Sequence, residues 1–106
     1  MFLRAKKFLG QHFLIDKNVQ KKIISFCNLE QSDTVLEIGA GRGELTRLIL
    51  QKGCFVYAVE IDKMLCDLLE KNLVDFKDRL KIINKDILKL NFNYYFKNTK
   101  KPIKVL

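Results

Sequence analysis

Val35-Leu36-Glu37-Ile38-Gly39-Ala40-Gly41-Arg42-Gly43-Glu44-Leu45-Thr46 decides how this chain folds. A short apolar run ends in an acidic residue, three glycines alternate, and helix-forming residues begin. The order reads as a strand, a tight turn and a helix N-terminus, an arrangement that lets a nucleotide-like ligand lie against bare backbone. Glycine suits the turn because it accepts backbone angles closed to other residues and leaves no Cβ in a ligand's way.

Working outward, strands and helices alternate. Asp16 can cap a helix over about 17–27, with Val19, Ile23 and Cys27 along one face and Ile24 widening it. The polar stretch Glu30 to Asp33 turns into a first strand, Thr34 to Ile38. A helix follows from Glu44 to Lys52, with Leu45, Leu48 and Ile49 inward and Gly53 as its stop. A second strand spans Cys54 to Val59, Asp62 caps a helix to Asn72, and Leu80 to Ile83 forms a third strand. Pro102 precedes Ile103, Val105 and Leu106, a fourth strand at its start. This alternation predicts an α/β, Rossmann-like parallel sheet flanked by helices, with right-handed crossovers. The expected division is an N-terminal segment and helix over 1–28, closing over the site, and an incomplete cofactor domain over 29–106.

Spacing narrows the cofactor. A dinucleotide loop is G-x-G-x-x-G, and its third glycine would fall at position 44, which is Glu44. Carboxylates at Glu37 and Glu44 disfavour a pyrophosphate but suit the sulfonium and ammonium groups of S-adenosylmethionine. Glu60 ends the second strand 21 positions after Gly39, where an acid can accept hydrogen bonds from two ribose hydroxyls. Asp62 beside it reads as a helix cap. Asp86, in Asn84-Lys85-Asp86-Ile87-Leu88, is placed to accept from an adenine amine, with Ile61 and Ile87 as apolar walls against the ring. Taken alone, each of these has an ordinary structural reading, a turn or a solvated strand end.

Composition sets outer limits. The 106 residues allow one small domain, and no apolar run is long enough for a membrane helix. The N-terminus lacks the apolar core and cleavage site of a signal peptide, and three widely spaced cysteines read as reduced thiols. A cytoplasmic protein is expected. One histidine and no C-x-x-C pair argue against a zinc site. The net charge of +8 suggests a polyanionic partner, nucleic acid most simply. Because 16 of the 20 basic residues are lysine, a well-solvated surface is the competing explanation.

Phe8-Leu9-Gly10-Gln11-His12-Phe13-Leu14-Ile15-Asp16 is too apolar for a solvated tail. With it, GQHFLID, LEIGAGRGELT, VEID and NKDIL stand in order along the chain. In that combination the chain resembles the ribosomal RNA adenine N6-dimethyltransferases, class I S-adenosylmethionine-dependent enzymes. The resemblance implies that His12 and Leu14 contact the cofactor from the N-terminal segment, Gly39 approaches it, Glu60 holds the ribose and Asp86 the adenine. Gln11 would help close the target-base side, and Glu37, Gly41, Ile61 and Ile87 would be further neighbours. His12 stands where many members have Asn.

The implied activity is dimethylation of two adjacent adenosines near the 3′ end of small-subunit ribosomal RNA, within a small-subunit precursor, by a monomeric protein needing no metal. The family's catalytic motif, N-[LIV]-P-[YF], follows the fourth strand and would lie beyond Leu106. Residues 1–106 alone are therefore expected to be inactive, and the family's C-terminal helical domain absent. Two other readings compete: a large-subunit methyltransferase of the antibiotic-resistance type, and a non-catalytic RNA-binding assembly factor with a vestigial cofactor fold. Gly10 in GQHFL favours the small-subunit group, and intact Gly39, Glu60 and Asp86 argue against decay.

Overall fold

The computed structural model describes residues 17–99 and 101–106. Its elements are α1 (Lys17–Phe26), β1 (Thr34–Ile38), α2 (Glu44–Gln51), β2 (Phe55–Val59), α3 (Lys63–Asn72), β3 (Leu80–Ile83), α4 (Phe92–Phe96) and β4 (Ile103–Val105). Short 3-10 turns span Val74–Phe76 and Ile87–Lys89. The strands form one sheet in the order β3-β2-β1-β4, with every pairing parallel. The α/β, Rossmann-like architecture expected from the alternation is the one observed.

Strand side chains divide by period two, as pleating requires. Val35, Val56 and Ala58 pack with Leu45, Ile49 and Leu50 of α2, Leu69 and Leu73 beside α3, and Ile24 of α1. Leu36, Val59 and Ile83 face the other way, against Leu90, Ile87, Tyr95 and Phe96. Three helices thus cover one face, and the segment between β3 and β4 covers the other. Burial on both faces explains why β1 and β2 are so apolar along their length.

Two expectations shift. On α1 the buried residues are Gln20 and Ile24, with Val19, Ile23 and Cys27 half-buried at the flanks. The inward face is rotated because Gln20, a polar residue, has a partner: its Nε2 donates to Glu44 Oε2 at 2.9 Å. A buried amide is tolerated where it is hydrogen-bonded. The proposed cap Asp16 lies outside the described residues. The second difference is α4, where the sequence reading assigned no element. Asn91 caps it, accepting from the Tyr94 N–H at 3.2 Å, and its Tyr95 and Phe96 pack on Tyr57.

The sheet is tied at both ends. At the strand starts Lys104 donates to Asp33 at 2.9 Å and to the Asn28 carbonyl at 2.8 Å. At the other end Ile38 N donates to Leu106 O, Gly39 N to Val59 O and Glu60 N to Ile83 O, so the strand ends rise in step toward one rim. Among the described residues β4 is the outer strand on its side, with Val105 half-exposed. No helix among them is long and apolar enough to cross a membrane.

Candidate cofactor site

The rim where β1, β2 and β3 end carries a concave pocket of about 130 Å³. Ile38, Gly39, Val59, Ile61, Lys85, Asp86 and Ile87 line it. An engineered apolar cavity of about 150 Å³ takes a benzene ring, so a space of this size suits part of a flat base. Four residues singled out from sequence, Gly39, Ile61, Asp86 and Ile87, are brought together here although 48 positions separate the first from the last. Ile38, Val59 and Lys85 join them, and sequence reading had missed all three. The apolar pair would have been legible as the last inward residues of β1 and β2.

Local structure explains each placement. Gly39 has φ of +70° and Gly41 +60°, and a Cβ built on either would meet nothing within 4 Å. Their backbone therefore borders open space, as a ligand's close approach requires. Gly43 differs: at φ +88° its Cβ would lie 2.7 Å from Leu69 Cδ2. This glycine seats the loop on α3 rather than on a ligand.

Glu60 lies in sequence between Val59 and Ile61 of the lining but is not itself part of it, and it is almost wholly buried. Its Oε1 accepts the Gly41 N–H at 2.9 Å and its Oε2 the Asp62 N–H at 3.0 Å. A carboxylate offers about four acceptor positions, so two hydroxyls can still be received. Asp62 is the helix cap expected, accepting from Met64 and Leu65 N–H groups at 2.9 and 3.3 Å. Asp86 Oδ1 accepts the Leu88 N–H at 3.0 Å, which fixes the side chain at the pocket wall with acceptor capacity to spare. Beneath Glu60, Cys66 Sγ donates to the Glu60 carbonyl at 3.3 Å, and burial, then the Glu60 charge, pushes that thiol's pKa up. Asn84 Nδ2 donates to the Glu60 and Ile61 carbonyls, both at 3.0 Å, bracing the strand end.

Glu37 is not at the pocket surface. It is fully buried and accepts the Thr46 hydroxyl, so it joins β1 to α2 under the loop. The alternation along β1 points position 37 to the helix-covered side, and a ligand would have to displace core to reach it. Gln11, His12 and Leu14 lie outside the described residues. Among the described residues no group of three His, Cys, Asp or Glu could hold a metal ion.

A parallel sheet in this order, with a glycine loop after β1 and carboxylates ending β2 and following β3, defines the class I methyltransferase fold. The "dimethyladenosine transferase" of Plasmodium falciparum superposes with a TM-score of 0.67 at 29% identity, over 73% of this chain and 28% of that one. The "23S rRNA methyltransferase ErmE" gives 0.66 at 29% identity, over 72% and 31%. The sequence profile described as "Ribosomal RNA adenine dimethylase" matches residues 2–106, and the chain belongs to that family. Among curated relatives, "Ribosomal RNA small subunit methyltransferase A" of Lachnoclostridium phytofermentans is 46% identical over 99% of this chain. The protein of the same name from Wigglesworthia glossinidia brevipalpis is 44% identical over 93%. The chain spans 37% and 38% of the length of these two relatives.

Proposed function

We propose that this chain carries the S-adenosylmethionine site of an enzyme that dimethylates N6 of adjacent adenosines in small-subunit ribosomal RNA. The observation that carries the reading is the pocket joining Gly39, Ile61, Asp86 and Ile87 beside Glu60. Its chemistry fits the cofactor. Aliphatic walls suit the faces of adenine, Asp86 suits its single exocyclic amine, Glu60 suits a ribose diol, and the bare loop admits the remainder. The cofactor supplies an electrophilic methyl group; the protein's work is orientation and exclusion of water.

Residues 1–28 close over the site in this reading, with His12 and Leu14 contacting the cofactor and Gln11 helping to close the target-base side. The Gln20–Glu44 hydrogen bond supports it, since it fastens α1 to the first residue after the glycine loop. The acceptor amine is oriented by the family's N-[LIV]-P-[YF] motif. Residues 1–106 contain no such motif, their one proline being Pro102 after Lys101, so by themselves they do not transfer methyl. The partner is ribosomal RNA, within a small-subunit precursor; the protein acts as a cytoplasmic monomer. Small-subunit rather than large-subunit RNA is favoured by Gly10 in GQHFL and by the curated relatives named as small-subunit methyltransferases, 46% and 44% identical.

Calorimetric titration with S-adenosylmethionine and with NAD tests the site. Binding of the methyl donor alone is expected; binding of NAD alone, or of neither by the folded full-length protein, rejects the assignment. Incubating full-length protein with undermethylated small and large subunits then decides the substrate.

A further inference from the structure

Positive charge is unevenly distributed along this chain. Residues 84–106 carry six lysines against one acid, Asp86, whereas residues 23–83 carry eight Lys and Arg against ten Asp and Glu. Lys104 is committed to Asp33 at the strand starts. Lys85, Lys89 and Lys97 are exposed, and Lys85 lines the cofactor pocket.

Large apolar side chains surface in the same segment. Leu88 is 83% exposed, Tyr94 78% and Phe92 half-exposed. Their neighbours are anchored: Leu90 is buried, and Tyr95 and Phe96 lie 6.2 and 4.7 Å, centroid to centroid, from Tyr57 of the sheet. Tyr94 meets Tyr95 nearly perpendicularly at 4.9 Å, which braces its ring while most of the residue faces solvent. Tyr94 and Lys97 are three residues apart on helical backbone and share a face. The segment's one acidic residue, Asp86, lines the pocket, with its Oδ1 accepting the Leu88 N–H.

We infer that Lys85, Leu88, Lys89, Tyr94 and Lys97 form a docking strip for single-stranded RNA. A base stacks on Tyr94, and the lysines track the phosphates past the pocket mouth. Single-strand binders combine these two features, an aromatic platform and a cationic path, because every base has a π-face and every linkage a charge. The strip rests on the ribosomal RNA reading for which RNA is bound, and stands on its own residues for how.

The test is fluorescence anisotropy of full-length protein with a labelled oligoadenylate of about 12 nucleotides, within the span such sites cover. Tyr94→Ala is expected to weaken binding about tenfold, and Tyr94→Phe, which keeps the ring, to bind nearly as tightly as wild type. Lys89→Ala with Lys97→Ala should flatten the slope of log affinity against log salt by about 1.4, at about 0.7 per lost single-strand phosphate contact. Lys63→Ala on α3 serves as the control and should change neither quantity. Unchanged affinity in Tyr94→Ala together with an unchanged salt slope in the double variant overturns the strip. Unchanged affinity with a clearly lowered melting temperature also overturns it, and leaves Tyr94 a packing role against Tyr95. S-adenosylmethionine titration of the same variants separates the two readings. Loss of RNA binding with cofactor affinity intact supports the strip, whereas a wild-type protein that binds oligoadenylate through Tyr94 but no cofactor rejects only the methyltransferase reading.

Discussion

Replacing Gly43 by Ala should damage the fold, whereas replacing Gly39 by Ala should damage binding. At Gly43 the new Cβ lies 2.7 Å from Leu69 Cδ2 and 3.0 Å from Leu73 Cδ1, in the packed interior under α3. Forcing a methyl group into such a space costs about 1–3 kcal/mol. Holding a residue with a Cβ at φ +88° costs about 1–2 kcal/mol more. Together these amount to about 2–5 kcal/mol, a large part of the 5–15 kcal/mol that stabilises a typical domain. For a domain near 100 residues that corresponds to a fall in Tm of about 8–20 °C.

At Gly39 the Cβ meets nothing, so only the backbone contribution of about 1–2 kcal/mol applies. The methyl group there projects from a residue lining the pocket, and S-adenosylmethionine affinity should fall at least tenfold, on the order of 1.4 kcal/mol. Thermal melts followed by circular dichroism, and calorimetry in the cold where both variants are folded, measure the two effects separately. Equal losses of Tm in the two variants, or a larger loss of affinity in Gly43→Ala, would refute the division of roles.

Three further outcomes are expected. Glu60→Ala should weaken S-adenosylmethionine binding about 10- to 100-fold, because hydrogen bonds to a charged acceptor contribute about 1.5–3 kcal/mol, and the Gly41 and Asp62 N–H groups lose their acceptor too; unchanged affinity removes Glu60 from the site. The Glu30 N–H, then the Lys104 ammonium, holds the Asp33 carboxyl below its ordinary pKa. The stabilisation is complete above the unfolded value near pH 4 and is lost as pH falls through the lower folded value, so Asp33→Asn should flatten the acid side of a Tm-against-pH curve. An identical acid slope in the variant contradicts this. Cys54 and Cys66, buried and with pKa values raised chiefly by that burial, should resist alkylation at pH 8 until the protein is unfolded; rapid modification of either in the folded protein would count against the packing around them.

Much of the fold was legible because local signals agreed with tertiary ones. Thr34–Ile38 and Leu80–Ile83 begin and end where apolar runs meet glycine and polar residues. Asp62 announced α3 because a capping carboxylate acts on N–H groups only two and three positions away. The helix at Phe92–Phe96 was not legible. Five residues are too few to show a period, and its inward Tyr95 and Phe96 are held by Tyr57, 38 positions before Tyr95. Gln20 was unreadable for a related reason: a polar residue is assigned outward unless its distant partner, Glu44, is known.

By itself the sequence determined the order of the strands and of α1, α2 and α3, the parallel sheet, and which loop and carboxylates to propose for a nucleotide-type site. Those follow from short-range patterning, from chain stereochemistry and from motifs whose spacing is local. Only the tertiary structure decided which residues of each motif border the pocket. It turned Glu37 under the loop to Thr46, assigned Gly43 to α3, and set Ile38, Val59 and Lys85 beside Asp86. Side-chain direction at a strand end depends on the register between strands and on which face the helices cover, and both are fixed by residues far away in the chain.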